Sequence, residues 1–364
     1  MNILIYCSHP AQFLFYKFTI RKLLMANHNV KLLIKSKDVL ESLVQTEGFE
    51  YENILIEGRK DSKFGIIIGL LKRLLRINKI IRKFKPDILL GTDASIAQLA
   101  WLHRKVGVIT LEDDIEVIPE LAKLTYPFAK HIITPKACSV GKWHDKKIGY
   151  QGYMKLAYLH PNVFNPDLDI SSKYNIPSRF VLVRISNLKA HHDFGAKGIT
   201  DSLLVEVVQK CESNNYSVFI SSEGVLDKKY DKYILKIETS DMHHILAKAT
   251  LLISDSQSMS VEAAILGTPS IRFSSFAGKI SVLEDLEHKY QLTFGINPSN
   301  QTELLNKIQC FLEKVDIKTL FLERKEKMLH DKIDVTAFMV WFIENYPESS
   351  KIMKENPDYQ YNFR

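Results

Sequence analysis

The segment Leu251–Phe273, LLISDSQSMSVEAAILGTPSIRF, leaves a folding chain few options. The apolar run Leu251-Leu252-Ile253 stops at Ser254-Asp255, and serines follow at 256, 258 and 260. A helix-forming run from Val261 to Leu266 ends at Gly267, and after Thr268-Pro269 a second apolar run, Ser270–Phe273, begins. Strand, serine-rich turn, helix, turn and strand predict a βαβ unit. The turn predicts backbone N–H groups and hydroxyls at a helix N-terminus, where an anion is stabilised. Glu262 falls about one turn inside that helix, within reach of a sugar diol when phosphates lie on the turn. Ser256, Ser258, Met259 and Glu262 are therefore candidates for holding a nucleotide-sugar. Serine caps and first-turn acids also serve helices that bind nothing.

The same alternation runs from end to end. Strands are expected at Ile3–Tyr6, Val30–Ile34, Ile88–Leu90, Gly107–Thr110 and His131–Thr134, then at Phe180–Ile185, Tyr216–Ser221, Leu251–Ser254, Ser270–Phe273 and Leu292–Gly295. Helices fall between them, notably Phe13–Met25, Gly65–Lys83, Ile96–Arg104, Ser202–Ser213, Met242–Ala249, Ser260–Leu266, Ile280–Tyr290 and Thr302–Lys314. The fold class read from this is α/β: two Rossmann-like, doubly wound parallel-sheet domains facing a cleft, with ligands beyond the carboxyl ends of the strands. The turn-rich stretch Pro161–Asp167 marks the break. The expected units are residues 1–165 on the acceptor side, 166–332 carrying the nucleotide-sugar, and 333–364 as a helix and tail packing back on the body. The aromatic helix Val335–Tyr346 is expected to dock, and the polar tail from Pro347 to be loose.

Bulk properties exclude several classes. At 364 residues, 46% hydrophobic and 25% charged, the chain is globular and long enough for two domains. Its four cysteines are scattered without a CxxC, which fits reduced thiols in a cytoplasmic protein. The N-terminus reads as a first buried strand and not a leader, and no apolar run reaches membrane-spanning length. The net charge of +7 is concentrated in residues 59–85, where ten Lys and Arg interleave with Ile and Leu against Asp61 alone. Such a basic amphipathic helix suits an anionic membrane surface. A solvated face on a packed helix is the alternative, and no nucleic-acid module is present.

Other candidates lie where apolar runs end. His9 follows the first strand and could take a proton from an acceptor, or cap the next helix. Asp93, in Gly91-Thr92-Asp93-Ala94-Ser95, and Asp113, in Leu111-Glu112-Asp113-Asp114, place further carboxylates near the same opening. These three are the catalytic candidates. In the second half, Arg184, Ser186, Lys189 and His191 gather donors suited to phosphate after one strand. Glu223 ends the next strand, and His243 opens a helix beside His244. Asp167-Leu168-Asp169 looks like a metal-chelating DxD but sits in the linker. No metal ligand set and no cofactor are expected. There is no GxSxG elbow, GxxxxGK[ST] loop or GxGxxG.

The strings Gly152–Pro161 (GYMKLAYLHP), Val183–Asp193 (VRISNLKAHHD) and Ile253–Pro269 resemble a prokaryotic family classed as a domain of unknown function, over nearly the whole chain. That family is similar to GT-B glycosyltransferases and to UDP-GlcNAc 2-epimerases. The epimerase pattern Asp-Ser-Gly-Gly, two residues, Glu-Glu-Ala is matched in spacing by Asp255, Ser256 and Glu262-Ala263, with Gln257-Ser258 at the glycine pair. Gly91-Thr92-Asp93 and Glu112-Asp113-Asp114 stand where the epimerases carry Gly-Asp-Thr and Glu-Ala-Gly-Leu-Arg. The resemblance implies GT-B architecture, phosphate on Ser256 and Ser258, and ribose on Glu262. The activity expected is a metal-independent glycosyltransferase moving a sugar from a UDP-linked donor to a glycan or lipid-linked acceptor in surface polysaccharide assembly at the inner face of the cytoplasmic membrane. A UDP-sugar 2-epimerase and a non-catalytic nucleotide-sugar-binding protein are the alternatives.

Overall fold

A computed structural model describes residues 1–35, 39–54, 63–186 and 198–364, with backbone alone for 63–70. The chain divides into two compact units, Met1–Val163 with Ile333–Arg364, and Phe164–Lys332. Each is built on a parallel sheet.

In the first unit the strands are β1 (Asn2–Cys7), β2 (Asn29–Ile34), β3 (Glu52–Asn53), β4 (Ile88–Gly91), β5 (Val106–Thr110), β6 (His131–Pro135) and β7 (Lys147–Tyr150). They lie in the order β3-β2-β1-β4-β5-β6-β7, every pair parallel. β1 and β4 are buried nearly throughout, as apolar runs covered on both faces must be. β3 and β7 are additions to the strands expected from sequence. β3 has two residues, too few for any periodicity, and β7 buries only Ile148 and Tyr150 at the sheet edge.

In the second unit the strands are β8 (Phe180–Ile185), β9 (Ser217–Ser222), β10 (Leu251–Ser254), β11 (Ser270–Phe273) and β12 (Thr293–Ile296). Their order is β12-β11-β10-β8-β9, again all parallel. The doubly wound α/β class holds for both halves.

Topology fixes where a ligand can sit. β1 connects toward β2 on one side, while its neighbour β4 connects toward β5 on the other. β8 and β10 stand in the same relation, one leading to β9 and the other to β11. The loops leaving such a pair diverge and leave a crevice at the carboxyl edge. Right-handed crossovers put the helices after β3, β4 and β5 (Lys63–Phe84, Ala94–Leu102 and Pro119–Thr125) on one face of the first sheet.

Several helices depart from expectation. The helix after β10 begins at Gln257 and not Ser260, because Ser256 takes the cap. The run 280–290 is a short helix, Ser281–Glu284, passing into a π turn at Asp285–Lys289. The helix Ile317–Asp331 was not foreseen; it buries only Ile317, Phe321 and Met328, so its apolar stripe is thin. The tail is ordered: Glu348–Glu355 is helical, Pro357–Phe363 forms 3-10 turns, and the Tyr359 ring stacks on Trp341 at 4.9 Å.

Candidate functional site

At the crevice between β8 and β10, Ser254 ends its strand fully buried, and its hydroxyl accepts the Ser256 N–H at 2.8 Å. Ser256 then caps the helix Gln257–Leu266, its Oγ accepting from the Met259 N–H at 3.4 Å. The amides of Gln257 and Ser258 meet no acceptor among the described residues. At the far end Gly267 takes φ 76°, the left-handed stop that spares a side chain strain. Met259 is buried, so its part in the turn is its amide and not its thioether.

Asp255 is buried and serves the neighbouring loop. One carboxylate oxygen accepts both the N–H and the hydroxyl of Ser186, each at 2.7 Å. Burial pushes the Asp255 carboxyl above its ordinary range, and the Ser186 donors oppose that. A Cβ at Gly198 would come 2.4 Å from the other oxygen, so only glycine allows the chain this close. Ser186 is thus bound to the β10 turn, beside an open pocket of about 430 Å³ also lined by Gly198, Thr200, Phe273 and Gln301.

Gln257, where the epimerase pattern has glycine, turns its side chain away from the free amides. Its Nε2 donates to Ser274 Oγ at 2.8 Å and to the Asp255 carbonyl at 3.1 Å, while its Oε1 accepts from Arg272 at 3.2 Å. Arg272 is fully buried in β11 and also pairs with Glu287 at 3.0 Å and Glu284 at 3.5 Å. Burial lowers the pKa of this guanidinium, and the two carboxylates oppose the shift. The sequence pattern marked Gln257 only as a replacement for glycine and did not mark Arg272; an arginine in an otherwise apolar strand was the available signal.

Ser258 is exposed at the helix start, and Glu262 lies four residues on, hence on the same face. The Glu262 carboxylate meets His243 Nε2 at 3.3 Å, and both side chains are largely buried. The two imidazoles foreseen together part company: His244 Nδ1 accepts the Asp167 N–H at 2.9 Å and packs on Phe164, while His243 faces Glu262. Asp167 itself turns back to accept the Asp169 N–H. At the β8–β9 edge Arg184 donates to Ser221 Oγ at 2.8 Å and pairs with Glu223, so these two candidates satisfy each other. Lys189 and His191 lie outside the described residues.

In the first unit the crevice between β1 and β4 holds His9 and Asp93, and each begins a helix. His9 Nδ1 accepts the Ala11 N–H at 3.2 Å, which leaves the neutral ring its proton on Nε2. Asp93 accepts from the Ser95 N–H at 2.9 Å and from its hydroxyl at 2.6 Å, and its second oxygen pairs with Arg73 at 2.8 Å. Asp113 is exposed after β5. Its neighbour Glu112 is buried, accepts the Met154 N–H at 2.5 Å and pairs with buried Lys155. That pair anchors the 152–161 string to β5, a role its spacing of 43 residues hid from the sequence. Among the described residues no group of three or more His, Cys, Asp or Glu could hold a metal ion.

Two doubly wound parallel sheets give this protein the GT-B fold, and solved structures with that fold match almost the whole chain. S. aureus MnaA, solved with UDP, aligns with TM-score 0.67 at 12% identity, covering 96% of this chain and 97% of that one. The UDP-GlcNAc 2-epimerase from Neisseria meningitidis, bound to UDP-GlcNAc, gives 0.64 at 14%, covering 90% and 100%. The spinosyn rhamnosyltransferase SpnG, complexed with spinosyn aglycone, gives 0.61 at 13%, covering 95% and 100%. No curated protein matches the chain in sequence. The chain belongs to the family described as "Protein of unknown function (DUF354)", whose model matches residues 1–340.

Proposed function

We propose that this protein is a glycosyltransferase that takes a sugar from a nucleotide-sugar, UDP-linked, and passes it to a glycan or lipid-linked acceptor in surface polysaccharide assembly. One observation carries the reading. The helix start at Ser256 offers two open amides beside exposed Ser258, and Glu262 with His243 sits about one turn below on the same face. A diphosphate takes the amides and the Ser258 hydroxyl, and the pentose hydroxyls bond to Glu262. Fold neighbours that bind UDP or UDP-GlcNAc support a donor of this kind.

In the reaction the acceptor hydroxyl loses its proton, its oxygen bonds to the anomeric carbon, and the electron pair of the breaking bond leaves on the diphosphate. The helix amides stabilise the departing charge. Arg184 adds a cation if Glu223 releases it. Asp113, Asp93 and His9 are the proposed bases. Asp93 is held by Arg73 and Ser95, and His9 presents an Nε2–H that donates. Lys189 and His191 remain proposed donor ligands.

Calorimetry with UDP-, GDP- and CMP-sugars tests the reading: one donor class is expected to bind, and Glu262→Ala to weaken it by about tenfold or more. No binding by any class would defeat it. A UDP-sugar 2-epimerase is the second reading, favoured by the Asp255-Ser256 to Glu262-Ala263 spacing. Solvent deuterium entering at C2 without an acceptor would select it.

A further inference from the structure

The helices Lys63–Phe84, Ala94–Leu102 and Pro119–Thr125 share one face of the first sheet and are locked side by side. Arg73 pairs with Asp93 at 2.8 Å, Asn78 meets His103 at 2.6 Å, Gln98 donates to the Leu124 carbonyl at 3.1 Å, and the Trp101 ring lies 5.6 Å from Phe128. The outer side of this layer is unusually apolar. Leu71, Leu75, Trp101, Leu102 and Leu124 are all 51–69% exposed. On the first helix Leu71 and Leu75 are one turn apart, opposite the buried Ile77 and Ile81. Scattered exposed leucines need no explanation, but here five large apolar side chains stand exposed on one layer of three locked helices.

The charge around the patch is mainly positive, and the exposed acid of the third helix, Glu120, is paired with Lys123. Lys79, Arg82, Lys83 and Arg104 are exposed on the same elements. From Lys63 to Lys105 the only acids are Asp87 and Asp93. Asp93 is committed to Arg73, and Asp87 accepts the Asn2 N–H. Two arginines of the basic run are turned inward: Arg73 to Asp93, and Arg76 to the Ile54 carbonyl at 2.6 Å. Exposed Lys79, Arg82, Lys83 and Arg104 thus accompany the leucines and the tryptophan.

We propose that this three-helix face docks on an anionic lipid surface. Leucines and an indole enter the boundary between headgroups and acyl chains, while lysine and arginine stems lie along it and carry their charges to the phosphates. Among the described residues no helix is long and apolar enough to cross a membrane, so the contact is peripheral. The proposal does not depend on the reaction at the carboxyl edge.

Co-sedimentation of the full chain with vesicles of phosphatidylcholine alone, and of phosphatidylcholine with 30 mol % phosphatidylglycerol (roughly the anionic content that makes such surfaces attractive to basic segments), tests it. Binding is expected on the anionic vesicles, weakening as salt rises. Removing Lys79, Arg82 and Lys83 as alanines is expected to cost roughly fivefold for each charge. Leu71→Glu with Leu75→Glu is expected to abolish retention while leaving the circular dichroism and nucleotide-sugar calorimetry unchanged. Absence of binding to the anionic vesicles, or equal retention of both variants, overturns it. So does a dimer in solution that the Leu71→Glu, Leu75→Glu variant dissociates, since the patch would then be covered by a second copy.

Discussion

Ser186 gives both its N–H and its hydroxyl to one oxygen of Asp255, each at 2.7 Å. The end of β8 is thereby fastened to the turn after β10, across the crevice that sheet order opens between them. Asp255 therefore shapes the turn after β10 by holding Ser186.

Asp255→Ala is expected to lower unfolding stability by about 3 kcal/mol, since a buried carboxylate and its charge-assisted bonds are lost together. Gly198→Ala should give a similar loss, because its Cβ would meet the other Asp255 oxygen at 2.4 Å. Both changes act on one contact, so in denaturant titrations the double variant should fall short of the summed losses by about 1–2 kcal/mol. Full additivity would mean that the two residues act separately.

Gln257 and Arg272 form the second bracket of that turn. Gln257→Gly leaves one guanidinium nitrogen of a fully buried arginine without its acceptor, at an expected cost of about 2 kcal/mol. Gln257→Glu keeps an acceptor for Arg272 but sets an oxygen against the Asp255 carbonyl to which Nε2 donates, so it should recover part of that loss and not all of it. A drop in melting temperature larger than that of Gln257→Gly would show that the contact to the Asp255 carbonyl outweighs the one to Arg272.

These brackets mark the limit of what the sequence discloses. The carboxyl ends of β1, β4, β8 and β10 were legible because buried parallel strands are written as short apolar runs ending in Ser, Asp or His. The cap at Ser256 and the face shared by Ser258 and Glu262 follow from spacing alone. Side-chain partners separated by long stretches do not. Nothing in a linear pattern links Asp255 to Ser186, Glu112 to Lys155, or Arg184 to Glu223, because sheet order brings them together and sheet order is a tertiary outcome. The order of the tail is hidden for a related reason: its residues look polar singly, and it is Trp341 and Phe338, distant in sequence, that give Tyr359 and Phe363 something to pack on.

His9 separates a capping role from a chemical one. His9→Ala should cost about 1 kcal/mol through the lost cap, and His9→Asn, which also caps, should restore it. If His9 only starts its helix, His9→Asn keeps full turnover once a donor and acceptor are in hand. A stable His9→Asn protein with turnover reduced a hundredfold or more would instead assign the imidazole to the reaction.

Lys318 supplies a pH signature in the second unit. Its ammonium donates to the carbonyls of Ala247 at 2.8 Å and Ala249 at 2.7 Å, at the end of the helix whose first turn carries His243. Burial, and then the like charges of Lys248 and Lys325, bring its pKa down to about 7 from an ordinary 10.5. Between those values the unfolded chain holds a proton that the folded chain has released. Unfolding free energy therefore rises with pH across that window and is flat below it, where both states are protonated. Lys318→Met has no proton to exchange, so the difference between parent and variant isolates this group. Urea titrations at successive pH values from 6 to 9 should show that difference constant up to about 7 and then growing in the parent's favour by roughly 1 kcal/mol per pH unit. A difference that shrinks as pH rises would mean the ammonium is stabilised by its carbonyl partners more than burial penalises it. The helix end, and with it the setting of His243 against Glu262, would then be held by charge and not by the neutral amine.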